Sequence, residues 1–194
     1  SSDLLAENVG YDSTTVKDTL DSLLYEAINI TSFTSNVEPV QEIGTNINSI
    51  TLTWKLSQPA TEQFINDVPV TGSSFTFDTP FNSNKSFTLK VNDGTTIKSK
   101  TIDIKFMNNI YYGVSSSTTY DSNFIESLTK ELRQATEMNF RVNAGKDEYI
   151  CFAYPSHYGE AVFSVGGFEG GFREVAKFYY TNESGYNEQY TVYC

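Results

Sequence analysis

The sequence predicts a mainly β protein with a short N-terminal helix, a β-sandwich and a C-terminal β domain holding one further helix. Three observations carry this expectation. Fourteen Phe and thirteen Tyr, beside abundant Thr, Ser and Asn, are the usage of strands joined by polar turns. Apolar and polar residues alternate in short runs between clusters of Asn, Pro, Gly, Asp and Ser, as period-two strands require. Helical spacing, by contrast, shows at two places only. At 194 residues the chain can hold one large or two small domains. Its patterning divides it at 1–28, 29–107 and 108–194.

Thirteen basic against twenty-four acidic side chains give a net charge of −11 and a pI near 4.4. Nucleic acid and anionic lipid both need a basic face, so neither is an expected partner. No apolar run approaches the roughly 20 residues of a membrane helix. The first residues, SSDLLAENVG, have neither the basic start nor the apolar centre of a signal peptide. The absence of an initiating Met suggests a processed product or a piece of something longer.

In the first segment Val16, Leu20, Leu23 and Ala27 fall at spacings of 4, 3 and 4, and Thr15 stands three residues before Asp18 as in a capping box. A short amphipathic helix is expected. So few residues are marginal as an isolated helix in water, so the stripe must lie on something. With no second helix nearby, self-association is favoured over packing in cis. The stretch AENVGYDSTTVKDTLDSLL resembles a segment common in tail and head fibres of bacteriophages, carried here by Asn8-Val9, Tyr11-Asp12, Val16, Leu20 and Leu23. The resemblance implies a trimeric stalk.

The second segment offers about seven strand-like runs: 31–33, 37–40, 50–56, 63–65, 74–77, 86–91 and 96–106. Ile50, Leu52, Trp54 and Leu56 share one face and Thr51, Thr53 and Lys55 the other, which makes Trp54 a core residue. Phe87, Leu89 and Val91 repeat the alternation before Asn92-Asp93-Gly94, and Ile102, Ile104 and Phe106 after it. An immunoglobulin-like sandwich lacking the inter-sheet disulfide is expected. Glu42-Ile43-Gly44, Trp54, Val91 to Gly94 and Thr101 to Phe106 also resemble the Ig-like modules of phage virion proteins and bacterial surface proteins. That implies a spacer or weak adhesion role.

In the third segment Asp121-Ser122-Asn123 can cap a helix on which Phe124, Ile125, Leu128 and Leu132 share a face, with Glu126 and Lys130 paired outside. Met138 to Val142 reads as a strand. Tyr149 to Tyr154 carries large or apolar groups on both faces, as a strand covered on both sides would. Pro155 stops it, Ala161 to Val165 restarts a strand, and Gly166, Gly167, Gly170 and Gly171 bracket Phe168 where positive φ or close approach is needed. A terminal hairpin turns at Asn182 to Gly185. Ala153, Pro155 and Gly159, then Val165 to Gly167, Thr181-Asn182, Gly185-Tyr186 and Tyr190 to Tyr193, resemble the C-terminal β domain of some phage tail and neck-appendage proteins.

Chemistry is sparse in this pattern. His157 is the one histidine, so neither a two-histidine metal site nor a Ser-His pair gains support, and a turn residue is expected. The glycine run lacks the Lys and helix start of a phosphate cradle. Asp147, Glu148, Glu160, Glu169 and Glu174 are expected at the surface, and a glycosidase pair would need two of them held at a set separation. The oxygens of Asn92-Asp93-Gly94 and Asp121-Ser122-Asn123 suit calcium, yet turn and cap account for them. Cys151 and Cys194 are expected as two reduced thiols. They meet only if the last strand lies beside that of Cys151. Tyr154, His157, Tyr158, Phe168 and Tyr186 are the contact candidates, since rings on loops stack on sugars or fill protein pockets.

The expectation is therefore a non-enzymatic virion structural protein without cofactor or metal, on the exterior of the particle. Val16, Leu20, Leu23 and Ala27 would hold a homotrimer, and the partners would be other virion proteins and a host-surface glycan or protein. A bacterial cell-surface adhesin module is the alternative, and a virion-associated glycan hydrolase the third reading.

Overall fold

Strand-forming runs and polar turns alternate through the computed structural model, which describes residues 10–11 and 14–194, and the protein is mainly β. Strands β1 (Gly10–Tyr11) and β2 (Thr14–Thr15) pair antiparallel ahead of helix α1 (Val16–Leu24). Then come β3 (Ile30–Ser35), β4 (Val40–Glu42), β5 (Ile50–Leu56), β6 (Glu62–Ile65), β7 (Val68–Pro69), β8 (Ser74–Phe77), β9 (Lys85–Asn92) and β10 (Ile97–Met107). The remainder is β11 (Asn109–Ser115), α2 (Ser122–Ser127), β12 (Thr129–Leu132), β13 (Tyr149–Pro155), β14 (Ser164–Val165), β15 (Phe168–Glu169), β16 (Glu174–Thr181) and β17 (Asn187–Tyr193). Their sheets run β3-β5-β8, β4-β10-β9-β6-β7 and β12-β11-β13-β17-β16, with β14-β15 a separate hairpin.

The expected capping box is present: Asp18 N–H donates to the Thr15 hydroxyl at 3.1 Å and Thr15 N–H to the Asp18 carboxylate at 3.1 Å. The helix stops earlier than its stripe suggested. Tyr25 takes extended backbone, so Ala27 lies beyond the helix and not on its face. Asn8, Val9 and Asp12 of the fibre-like stretch lie outside the described residues. Strand β4 begins at Val40 where 37–40 was expected, because Pro39 has no N–H to give a ladder; its carbonyl accepts from Lys105 instead, at 2.9 Å.

The described residues form two compact units, the first gathering those up to Thr34 with Leu52–Phe75 and Phe87–Thr101. Its core is the alternation read from the sequence. Leu52, Trp54, Leu89 and Val91 are buried, and the Trp54 indole N–H donates to Gln63 Oε1 at 2.7 Å, joining β5 to β6 of the other sheet. Asp93 ties the linker after α1 to this core. Its carboxylate accepts from Tyr25 Oη (2.8 Å), Ile28 N (3.0 Å), Gln58 Nε2 (3.1 Å), Thr95 N (2.9 Å) and Thr96 N (2.7 Å). These donors, the Thr96 N–H foremost, hold its pKa well below the usual carboxylate range. Ile28 beneath it is fully buried.

The second unit is Ser35–Thr51, Thr76–Ser86 and Ile102–Cys194. Asp121 caps α2 through Phe124 N–H at 3.0 Å, and Phe124 and Ile125 are buried as expected. The helix nevertheless ends at Ser127, because Thr129–Leu132 pairs with β11 and gains a ladder there. Lys130 therefore meets Glu183 at 2.8 Å, and not Glu126. Met138 to Val142 is loop, not strand. Under α2, Tyr111, Tyr180 and Tyr190 pack edge to face at 5.7 Å, and the Tyr190 hydroxyl donates to Asn109 O at 2.9 Å.

Within the same unit the Glu42–Thr45 segment seats on the terminal hairpin. Asn182 Nδ2 donates to Ile43 O at 2.8 Å, Asn109 Nδ2 donates to Glu42 Oε1 at 2.6 Å, and the Thr45 and Ser184 hydroxyls meet at 3.2 Å. Gly44, at φ +94°, lies against Tyr186.

Reduced thiols are not what the fold contains: Cys151 and Cys194 form a disulfide, with Cα atoms 4.2 Å apart. The register explains it. Phe152 pairs with Tyr193 and Ala153 with Val192, so the next pair outward is Cys151 with Cys194. The Cys194 N–H and C=O both bond Arg173 on the other side, at 3.1 Å. That leaves the cysteines as a non-hydrogen-bonded pair, the closer kind across an antiparallel ladder.

Candidate functional site

Strand β13 presents two different faces. Cys151 and Ala153 point to the core beneath α2, while Ile150, Phe152 and Tyr154 point the other way. Register extends that second face sideways, with Tyr112 of β11 and Tyr193 of β17 both opposite Phe152. An exposed aromatic sheet face needs cover, and two loops, 133–148 and 156–173, supply it.

Phe140 from the first loop lies 4.1 Å from the Tyr112 ring and 5.7 Å from Phe152. Phe163 from the second lies 5.5 Å from Phe152 and 5.1 Å from Tyr193, and stacks on Phe172 at 4.4 Å. The loops do not close. Between them is a cleft of about 650 Å³, within the range of about 300–1,000 Å³ usual for small-ligand sites. Tyr112, Phe140, Phe152, Phe163 and Phe172 line it half-buried, each ring partly open to solvent. Arg133, Glu137 and Glu160 are its charged groups.

The contact candidates separate here. Tyr154 lines the cleft floor but is 4% exposed, so it is no free loop ring. Its hydroxyl donates to Gly159 O at 2.7 Å, and burial, with a bond to Tyr193, pushes its pKa up to about 12. Tyr158 also lines the cleft, with the Arg133 guanidinium 4.1 Å above its ring. His157, Phe168 and Tyr186 do not line it. His157 is exposed in a 3-10 turn, Nδ1 3.2 Å from the Glu188 carboxylate. Phe168, 79% exposed, sits at the β14-β15 hairpin, whose Gly166 and Gly167 have the positive φ expected of them. Tyr186 is half-buried over Gly44.

Sequence reasoning missed Tyr112, Phe140, Phe163, Phe172 and Arg133. The usable signal was the second face of β13: an aromatic strand face with no amphipathic helix left to cover it had to be met by rings from the loops. The carboxylates do not gather. Of the five weighed, Glu160 alone lines the cleft, while Glu148 accepts from Gly145 N at 2.7 Å and Glu174 meets Lys177 at 3.2 Å.

In the first unit, α1 leaves Leu20 48% exposed and Leu23 and Leu24 each 77% exposed, with Val16 half-buried. No family model, curated protein or solved structure matches the chain.

Proposed function

We propose that the chain is a non-enzymatic structural protein of a bacteriophage particle, a fibre or appendage on its exterior that self-associates through α1 and meets a host surface or a neighbouring virion protein through its second unit. The observation that carries this reading is that, among the described residues, Leu20 is half-exposed and Leu23 and Leu24 largely exposed along one helix of nine residues. So short a helix is marginal in water, and covering a fully exposed leucine is worth about 1.5–3 kcal/mol, so copies of α1 gain by packing on one another; three copies is the number the fibre resemblance implies. The fibre-like pattern of Val16, Leu20 and Leu23 supports the same reading. The sheets from β3 to β10 then act as an Ig-like spacer.

The disulfide favours a second reading, a bacterial cell-surface adhesin module, because such bonds form and persist in oxidising compartments. Immunogold labelling of a source culture with antibody against the chain separates the two. Label on filtered particles is expected; label confined to cell envelopes supports the adhesin and defeats the virion assignment.

A further inference from the structure

The aromatic cleft of the second unit carries more specific chemistry than surface contact. We infer that it binds a short uncharged or amine-bearing saccharide and discriminates against acidic ones. This deepens the surface-contact role proposed above, and rests on it for the source of the glycan, a host surface.

The rings are the first ground. Phe140, Phe152 and Phe163 pack on one another and on Tyr112, Phe172 and Tyr193, and the cleft lies between them with no ligand present. Each stays half-open in a concave site, where an ordinary core would have sealed it. A pyranose has a flat C–H face for such rings and a hydroxyl edge that must be hydrogen-bonded. The same cleft supplies that edge with Thr136, Asn139, Ser164, Glu137 and Glu160. These polar groups stand exposed beside the rings, so an apolar ligand would gain from the rings alone, whereas a sugar gains hydrogen bonds as well.

Charge is the second ground. The cleft sets one arginine against two glutamates, on a chain whose net charge is −11. The arginine is also engaged, its guanidinium lying over Tyr158 at 4.1 Å. A uronic acid or phosphorylated sugar would meet Glu137 and Glu160 as like charges, whereas an amino sugar would meet them as partners.

The test is calorimetric titration of the full chain with oligomers of glucose, N-acetylglucosamine, glucosamine and galacturonate, and with the apolar dye ANS. Binding of at least one neutral or amino oligomer, and none of galacturonate, is expected. Phe140→Leu and Phe163→Leu, which keep apolar volume, should each weaken it roughly tenfold, an aromatic-face contribution of the usual size. Phe168→Ala, outside the cleft, should leave it unchanged. Glu137→Gln with Glu160→Gln should keep neutral binding and admit galacturonate. Binding of ANS alone, preference for galacturonate, or equal loss in Phe168→Ala would overturn the inference. These results are separable from the particle assignment: sugar binding without particle labelling removes the virion reading and leaves the cleft, and labelling without sugar binding does the reverse.

Discussion

Gly44 lies so close to Tyr186 that a Cβ added to it would stand 2.8 Å from the Tyr186 Cβ, a distance real side chains do not tolerate. The neighbouring Ser184 leaves no easier path, at 3.1 Å. Gly94 has nearly the same backbone, φ +97° against +94°, with nothing within 4 Å. The two glycines thus form a matched pair. Gly94→Ala should cost about 1 kcal/mol from left-handed strain alone, and Gly44→Ala about 2–4 kcal/mol, strain plus the clash. Urea midpoints at unchanged slope measure both. Equal costs would mean that the Glu42–Thr45 segment does not seat on the terminal hairpin.

Asp93 predicts an acid-side signature. Its folded-state pKa is depressed, so its contribution to stability is complete above the unfolded value of about 3.9 and is lost as pH falls from there toward the folded-state value. Asp93→Asn removes the charge but keeps the shape. The stability difference between the two proteins should be flat above about pH 5 and shrink below about pH 4. A difference independent of pH across that window would show that the carboxylate is not the anchor of Tyr25 and Ile28.

Tyr154 gives the opposite sign. Its pKa is pushed up to about 12, so above the ordinary phenol value of about 10 the folded chain keeps a proton the unfolded chain has released. Stability falls as pH rises through that window. Tyr154→Phe should make the alkaline slope shallower, leaving the part owed to the buried Tyr111 and Tyr190 hydroxyls, at a neutral-pH cost of about 1 kcal/mol for the lost bond to Gly159 O. An unchanged slope would place the Tyr154 hydroxyl in solvent.

The cross-link between Cys151 and Cys194 spans 43 positions, for which chain entropy suggests up to about 4 kcal/mol. Replacing both cysteines by Ala should lower stability by about 2–4 kcal/mol while β13 and β17 stay paired. Alkylation of the unreduced, denatured chain should add no label; two added labels would contradict the pairing.

What could be read in advance was what neighbours in sequence decide. The Thr15–Asp18 cap, the burial of Trp54 by alternation, the α2 start at Asp121 and the positive φ of the glycines around Phe168 are local requirements, and all are met. What escaped was set by pairing across the chain. Lys130 left its helix because β11 offered Thr129–Leu132 a ladder, and the cysteines met because β17 chose the register it did. The cleft escaped for the same reason. Phe140 and Phe163 are ordinary loop residues until β13 turns its aromatic face toward them.

Self-association through α1 is decided by the solution mass of the full chain, measured by light scattering after size exclusion. Three times the chain mass of 21.7 kDa is expected, falling to a single chain mass in the Leu20→Asp, Leu23→Asp variant with no loss of fold by circular dichroism. A single chain mass for the unaltered protein would contradict it.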